Sequence, residues 1–177
     1  MKVVNFTKPF WLISDTHFFH SRLAFDFGLR THFKSIEEMN KTIFDNWNKT
    51  VKDDDYIFFL GDFVIGAQEK YKTAQILYES LNGKKIFLKG NHDEHLGKYT
   101  NIPVQNGPLE ILYQGKRILL NHEPIYSFEQ DLMVCGHIHN NEENNRLKPN
   151  MINVSVEVVN YTPVHIDEVL KKKEYNP

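Results

Sequence analysis

The chain has 177 residues, which is enough for one compact domain with its own core, and we expect a single domain over residues 1–177. Hydrophobic residues make up 41% of the chain and charged residues 25%, a composition that excludes a disordered protein. The formal net charge of -2 argues against a strongly basic surface for nucleic acid, although a local basic patch stays open.

The cysteine content and the hydropathy bear on the compartment. Cys135 is the single cysteine, which rules out an internal disulfide and fits a reducing environment. The first ten residues, MKVVNFTKPF, lack the apolar region of a signal peptide, and no apolar run approaches the roughly 18 residues of a membrane span. We therefore expect a cytoplasmic protein with no membrane partner, and these features leave its oligomeric state open.

Three segments have the pattern of helices. Ser35 and Glu38 have the spacing of a capping box at a helix start. Apolar residues then recur at helical spacing: Ile36, Met39, Ile43 and Trp47. A second helix is predicted from about residue 68 to residue 82, with Gly83 as its terminator. A third, short helix is predicted to start near Asp167 and to run through the lysines at 171–173.

Five short apolar runs are typical of strands that are buried on both faces. They are FWLIS, YIFFLG, KKIFLKG, RILLN and DLMVCG. The stretch LEILYQGKRILLN predicts a hairpin that turns at Gly115, and MINVSVEVV, residues 151–159, predicts a late strand. Strands that alternate with helices early in the chain and dominate later predict a mixed α/β layer fold.

Each of the five apolar runs is followed by polar residues that are good metal ligands. In chain order these are Asp15 and His17, then Asp62, then Asn91, His92 and Asp93, then His122, then His137 and His139. In open α/β sheets the ligand-binding edge lies where the chain leaves the strands, so these side chains are expected to converge. One such pair alone is weak evidence, because Asp, Asn and His are common in turns. The recurrence after five strands is hard to attribute to turn chemistry.

The composition of this set predicts the metal chemistry. Carboxylate, amide and imidazole ligands without a thiolate suit manganese, iron, zinc, nickel or cobalt rather than calcium or a structural zinc finger. Two aspartates, one asparagine and four histidines of this set, seven of the nine side chains, are too many for one tetrahedral ion, but they suffice for two ions if one carboxylate bridges. Two metals about 3.5–4 Å apart are an established device for in-line displacement at phosphorus.

Five sequence blocks also match the signature of a known family. They are DTH at 15–17, GDFVI at 61–65, GNHD at 90–93, NHEP at 121–124 and GHIH at 136–139. In order and rough spacing they resemble the calcineurin-like metallophosphoesterase superfamily. DTHFFH, LGDF and the tail NVSVEVVNYTPVHIDEV look like a small bacterial, archaeal and phage subgroup. The resemblance implies a four-layer α/β/β/α sandwich of two mixed sheets flanked by helices.

The resemblance implies a role for each ligand. The first metal would be bound by Asp15, His17 and His139. The second metal would be bound by Asn91, His122 and His137, and both metals by Asp62. A hydroxide between two divalent transition-metal ions, with manganese as the first expectation, would attack phosphorus.

Two further residues of the GNHD block have implied roles. His92 would stabilise the developing charge and protonate the leaving oxygen, and Asp93 would orient His92 or a neighbouring ligand. The family's second block usually ends in an acid, and here Ile65 stands in its place. That acid is not a metal ligand in the general pattern, so we expect the metal site to be retained.

Three residues are candidates for contact with substrate. His20 belongs to the longer motif of the subgroup and is expected to touch the phosphate or the metal-bound water. Arg22 and Arg30 lie in the loop after the first block, and guanidinium groups suit forked contacts with phosphate oxygens.

The predicted function is metal-dependent hydrolysis of a small phosphate ester. The choice between monoester and diester stays open, with a slight preference for a diester. A nuclease or cyclic-nucleotide phosphodiesterase is the alternative, although the small net charge gives no support to a long polyanionic substrate. A third reading is a non-catalytic protein-binding scaffold on the same fold.

Overall fold

The computed structural model describes residues 3–174 and, within them, the side chains of residues 3–171. In chain order the strands of that range are β1 (Val3–Phe6), β2 (Phe10–Ile13), β3 (Tyr56–Phe59), β4 (Lys84–Leu88), β5 (Val104–Gln105), β6 (Leu109–Tyr113), β7 (Lys116–Leu120), β8 (Leu132–Cys135), β9 (Met151–Asn153) and β10 (Val164–His165). The α-helices are α1 (Ile36–Thr50), α2 (Gln68–Ser80), α3 (Leu96–Tyr99) and α4 (Ile166–Glu174). A π-helical turn spans Arg22–Asp26 and a 3-10 helix spans Glu142–Arg146.

The strands form two five-stranded sheets. The first sheet has the order β1-β6-β7-β8-β9, and the second has the order β10-β2-β3-β4-β5. Strands β2 to β5 run parallel and β10 is antiparallel to β2, whereas in the first sheet the β6–β7 pair is antiparallel and the other pairs are parallel. Two mixed sheets with flanking helices confirm the predicted α/β fold class.

Alternate residues of the strands face different cores. Phe58 of β3 packs with Ile118 and Leu120 of β7 in the core between the sheets, which α4 also contacts. Ile57 and Phe59 point to the other face of the second sheet, where α1 and α2 pack. The outer face of the first sheet is covered by the loop between β7 and β8 and by the residue that follows the 3-10 helix. All five predicted apolar strands are thereby confirmed, since each is covered on both faces.

The start of α1 follows the sequence signal with one difference. Ser35 Oγ accepts a hydrogen bond from Glu38 N at 3.2 Å, as a helix-capping serine does. The Glu38 carboxylate does not return to Ser35 but accepts from Lys34 N at 2.6 Å. The apolar stripe of Met39, Ile43 and Trp47 is fully buried against the second sheet.

Helix α2 ends two residues before the predicted boundary at residue 82. The helix stops at Ser80, and Leu81 is already in an extended conformation. Gly83 does not cap the helix directly but lies in the turn into β4, with φ +96° and Val51 Cγ1 2.8 Å from where a Cβ would lie. The glycine is required by this turn, which a helical pattern alone does not reveal. The third predicted helix is confirmed as α4, although the side chains of 172 and 173 lie outside the described set.

The predicted hairpin is confirmed and the predicted late strand is too long. Strands β6 and β7 pair around Gln114 and Gly115, both at positive φ, as in a two-residue hairpin turn. Within 151–159 only β9 is a strand, because the chain then crosses to the second sheet. There Ser14 N donates to Val154 O at 3.0 Å, and Val156 N donates to Ser14 O at 3.1 Å. No helix in the described part of the chain has the length and apolarity needed to cross a bilayer.

Candidate metal centre

The candidate centre lies where the carboxyl ends of strands from both sheets meet. Backbone hydrogen bonds join these ends: Asp15 N donates to Gly61 O at 2.9 Å, and Gly136 N donates to His122 O at 2.9 Å. Across the sheets, His122 Nδ1 lies 2.8 Å from the carbonyl oxygen of Leu60. The predicted convergence of the five polar strand ends is confirmed by these contacts.

Asp15 is held by one carboxylate oxygen so that the other faces the centre. Its Oδ2 accepts hydrogen bonds from Ser155 Oγ and from His137 N, each at 2.9 Å. Its Oδ1 is buried and has no hydrogen-bond partner among the described residues. Burial raises the pKa of Asp15, with the Asp62 carboxylate adding to the effect. A buried carboxylate oxygen left unpaired in this way is costly unless a cation binds it.

The first predicted ligand set is assembled around that oxygen. Asp15 Oδ1 lies 3.9 Å from His17 Nε2 and 4.0 Å from His139 Nε2. The two imidazole rings stack at a centroid distance of 5.2 Å. Both ring nitrogens of His17 are buried, and neither has a hydrogen-bond partner within the described part of the chain. Two ligand atoms on one zinc-sized ion at about 2.0–2.2 Å are about 3–3.5 Å apart, so a small contraction would bring this set onto an ion. Carboxylate and imidazole atoms that lack partners fit a divalent transition metal.

The second predicted set is more compact. Asn91 Oδ1 lies 2.8 Å from His122 Nε2 and 2.9 Å from His137 Nδ1, and the two nitrogens are 3.2 Å apart. The contact of His122 Nδ1 with a backbone carbonyl assigns the proton to Nδ1 and leaves Nε2 for a metal. Although burial opposes it, the neighbouring Asp62 carboxylate raises the pKa of His122 to about 9. The raised pKa means that a positive charge is favoured at His122, which fits a cation bound among Asn91, His122 and His137.

Asp62 lies between the two sets. Its Oδ2 is 3.4 Å from His17 Nε2 and 3.4 Å from His122 Nε2. Burial favours protonation, but the His122 and His17 imidazoles lower the pKa of Asp62 to about 2, so the group is a carboxylate at neutral pH. Its other oxygen, Oδ1, accepts from His92 N at 2.9 Å. The position fits the predicted bridging role.

Most of the ligands have an unusual backbone conformation. Those at positive φ, between 45° and 69°, are Asp15, His17, Asp62, His137 and His139. Such angles are uncommon for residues other than glycine, and they cluster at functional sites because the surrounding structure must offset the strain. Glycines allow the strand ends to approach: a Cβ on Gly90 would lie 2.2 Å from Asp62 Oδ1, and one on Gly136 would lie 2.3 Å from Asp15 Oδ2.

The two other residues of the GNHD block have different positions. The His92 side chain is exposed, with its ring 5.6 Å from the His17 ring. Asp93 is buried and accepts from Asp62 N at 2.7 Å, from Gly90 N at 2.9 Å and from Phe63 N at 3.0 Å. These contacts support the predicted role in orienting a neighbouring ligand, here Asp62, through its backbone; the carboxylate oxygens are directed at amides and not at His92.

His20 and Arg22 occupy different environments. The His20 ring lies 5.7 Å from the His17 ring, and its Nδ1 is buried without a hydrogen-bond partner in the range that the structure describes. Burial, with the neighbouring His92 adding to the effect, lowers the pKa of His20 to about 4, so the His20 ring is neutral at pH 7. This places His20 beside the first ligand set, as predicted. The Arg22 side chain is 72% exposed and lies 3.8 Å from Asp26, so its predicted contact with substrate stays a prediction.

The predicted contact of Arg30 with substrate is wrong. Arg30 is fully buried, and its guanidinium donates to the carbonyl oxygens of Asp15 at 2.6 Å and Thr16 at 2.8 Å. It also donates to Glu157 Oε1 from Nε at 2.7 Å. With its donors directed at these groups and no exposed surface, Arg30 supports the loop beneath the centre and is not available to a phosphate.

Polar residues at the end of β9 and just after it were not among the predicted site residues. Asn153 Nδ2 donates to His139 O at 2.6 Å, and Ser155 Oγ donates to Asp15. Glu157 Oε1 lies 3.0 Å from His139 Nδ1. The alternation of these polar residues with Val154 and Val156 was a usable signal, because polar residues in an otherwise buried segment must find partners.

A polar cleft of ≈ 340 Å³ opens beside the second ligand set. Asn91 and His122 of that set line the cleft. The other lining residues are Lys89, Gly90, Asn106, Gly107, Asn121 and Glu123. The amide, ammonium and carboxylate groups of these lining residues can form hydrogen bonds with the rest of a molecule whose one group is bound at the metal centre. The volume of the cleft is at the lower end of the range for ligand pockets.

Comparisons with known proteins show the family and the fold. The family model of calcineurin-like phosphoesterases (Metallophos) matches residues 8–147, and the chain belongs to this metal-dependent family. It is 39% identical over 171 residues to "Uncharacterized protein MJ1445" of Methanocaldococcus jannaschii, covering 93% of this chain and 90% of that protein. It is 31% identical over 83 residues to "Gene 66 protein" of Mycobacterium phage L5, covering 47% of this chain and 39% of that protein.

One solved structure shares most of the architecture. A protein of unknown function, AQ665 from Aquifex aeolicus, superposes with a TM-score of 0.72 at 29% identity, covering 94% of this chain and 99% of that chain. The match of the family model over residues 8–147 confirms the predicted family. Membership of the subgroup with the DTHFFH block stays a prediction.

Proposed function

We propose that the protein hydrolyses phosphate esters with two divalent metal ions bound between the strand ends. The position of the Asp62 carboxylate carries the proposal. Its Oδ2 is equally distant, at 3.4 Å, from one imidazole of each ligand set, His17 and His122. A carboxylate shared in this way suits two ions about 3.5–4 Å apart, the spacing used for displacement at phosphorus.

The ligands favour manganese first, with iron, zinc, nickel or cobalt as alternatives, because the set has carboxylate, amide and imidazole atoms and no thiolate. Bound ions would neutralise phosphate charge and lower the pKa of a water molecule. The chain's own part is to hold the ligands in place. Hydrogen bonds fix Asp15 Oδ2 and the backbone of Asp62, and a carbonyl fixes the ring of His122.

His92 and His20 are the residues assigned to the substrate. The backbone of His92 is anchored to Asp62 Oδ1 at 2.9 Å, while its exposed ring is free to donate a proton to the leaving oxygen. His20 is neutral at pH 7 because burial lowers its pKa to about 4. A neutral imidazole beside the first ligand set provides a hydrogen bond to a phosphate oxygen.

The test is hydrolysis of an aryl phosphate by the purified protein loaded with manganese. His92→Ala is expected to lower kcat by on the order of 10²–10⁴-fold while the metal content, measured by mass spectrometry, stays at the wild-type value. His95→Ala is the matched control, since His95 is exposed three residues further on. No hydrolysis of monoester or diester with any of the five metals would refute the proposal.

A diester is the substrate class that the cleft favours. The cleft of ≈ 340 Å³ begins at Asn91 and His122, so the second ester group of a bound phosphate has a polar surface to occupy. The net charge of -2 favours a small diester, such as a cyclic nucleotide, over a long nucleic acid. The measurement is kcat/KM for a bis-aryl phosphate against an aryl monoester, and a tenfold preference for the monoester would exclude this reading.

The scaffold reading makes the opposite prediction about metals. A protein that only binds partners has no need of a metal, whereas a ligand that binds the native state raises its thermal stability. We expect manganese to raise the midpoint of thermal unfolding. Absence of bound metal and of any thermal shift would favour the scaffold.

A further inference from the structure

Glu157 lies beneath the first ligand set and connects it to Arg30. The side chain is 2% exposed, and its Oε1 lies 3.0 Å from His139 Nδ1. The same oxygen accepts from Arg30 Nη2 at 2.6 Å and from Nε at 2.7 Å. The other oxygen, Oε2, is buried, and no described residue forms a hydrogen bond with it. The contacts of this carboxylate therefore serve His139 on one side and Arg30 on the other.

We propose that Glu157 is a positioning residue that fixes the tautomer of His139 and makes the first metal site the tighter of the two. This inference rests on the metal centre of the proposed function. A proton on His139 Nδ1 that is donated to Glu157 leaves Nε2 as the metal-binding atom, and Nε2 is the atom that lies 4.0 Å from Asp15 Oδ1. A carboxylate behind a ligating histidine orients its ring and makes the nitrogen more basic.

The two sets are supported unequally. In the second set the ring of His122 has a neutral acceptor behind it, the carbonyl oxygen of Leu60, and the oxygen ligand Asn91 is uncharged. In the first set the ring of His139 has a carboxylate behind it and the oxygen ligand Asp15 is itself a carboxylate. Because Asp62 serves both sets, the difference in charge favours a cation at the first site.

Glu157 has a second role, which is to neutralise the positive charge of Arg30. The Arg30 guanidinium donates to the backbone of Asp15 and Thr16, so a positive charge lies directly beneath the first set. Glu157 neutralises that charge. Without the carboxylate, Arg30 would oppose the binding of a cation as well as lose its partner.

The experiment is a calorimetric titration of the metal-free protein with manganese chloride. Wild-type protein should show two binding steps. In Glu157→Gln we expect the tighter step to weaken by about 10–100-fold and the weaker step to stay within about threefold. Glu143→Gln is the control, because it removes one charge from an exposed position in the 3-10 helix that follows His139. Equal weakening of both steps, or no change in either, would overturn the proposal.

A double variant separates positioning from simple pairing with Arg30. Replacing both residues, Arg30→Met with Glu157→Gln, leaves no unpaired buried charge, so we expect unfolding stability closer to wild type than in Arg30→Met alone. If Glu157 acts through His139, the tighter metal step stays weakened in the double variant. Recovery of that step to the wild-type affinity would show that Glu157 serves only as the partner of Arg30.

A spectroscopic measurement tests the tautomer directly. In the zinc-loaded protein with ¹⁵N-labelled histidine, His139 should be metal-bound through Nε2 and protonated at Nδ1, and coordination through Nδ1 would overturn the assignment. None of these measurements uses turnover. If the wild-type protein hydrolyses esters and Glu157→Gln binds manganese as the wild type does, only this inference is refuted. If the titrations give the expected result but no ester is hydrolysed, only the proposed function is refuted.

Discussion

Replacing Arg30 tests whether this buried guanidinium is structural. The side chain has no exposed surface and donates to Glu157 from two nitrogens and to the carbonyl oxygens of Asp15 and Thr16, all between 2.6 and 2.8 Å. Methionine is similar in length and apolar, so Arg30→Met removes these hydrogen bonds while filling much of the same volume. It also leaves the Glu157 carboxylate buried without its cation.

The size of the effect follows from the environment. Removing one partner of a buried ion pair costs about 3–5 kcal/mol, because the remaining charge stays buried without compensation. The free energy of unfolding of an ordinary domain is about 5–15 kcal/mol, so this loss is a large fraction of the total stability. For a domain of this size about 2–4 °C of unfolding midpoint corresponds to 1 kcal/mol, which predicts a decrease of roughly 6–20 °C.

The assay is urea unfolding of the metal-free protein, followed by circular dichroism and repeated as a thermal scan. Arg22→Met is the control, since this side chain is 72% exposed and its replacement should change the stability by no more than about 0.5 kcal/mol. If Arg30→Met were as stable as the wild type within 1 kcal/mol and instead raised KM for a phosphate ester, the structural role would be refuted. The substrate contact predicted from the sequence would then be correct.

Three further predictions concern single side chains. His17→Ala should abolish binding at the first metal site, whereas His20→Ala should retain both metals and raise KM, and equal metal loss in the two variants would contradict the assignments. Burial raises the pKa of the Cys135 thiol to about 12, so an aromatic disulfide reagent should react with the native protein only as fast as it unfolds, even at pH 9; fast labelling that rises with pH would contradict this. Ile65→Asp should leave the metal content unchanged, and a loss of either ion on metal analysis would show that this loop contacts a ligand.

The ligands could be predicted from sequence because two regularities coincide in them. Asp15, Asp62 and Asn91 follow apolar runs that are typical of strands buried on both faces. The structure shows these strands to be parallel, and parallel strands end at the same edge of a sheet. The sequence alone did not divide the ligands between two sheets or give their distances. Those depend on how the sheets pack, which is settled by contacts between residues far apart in the chain.

The misassigned residues show what local patterns omit. An arginine near phosphate-binding motifs is as consistent with a buried structural role as with substrate contact, and only the position of Glu157, 127 residues away, decides for Arg30. The segment after β9 was predicted to be a regular strand because it alternates. It instead leaves the first sheet at Val154 to pair with Ser14, a change of sheet that periodicity does not encode.

The division of the ligands between the sheets gives bound metal a mechanical role. Asp15, His17, Asp62 and Asn91 extend from the second sheet, whereas His122, His137 and His139 extend from the first. Each candidate ion would have ligands from both sheets, so it would link the two sheets where their strand ends meet. Removal of metal by a chelator should therefore weaken the contact between the two sheets at these strand ends. The rate of amide hydrogen exchange at the ends of β7 and β8 should rise, while the interior of α1 stays protected.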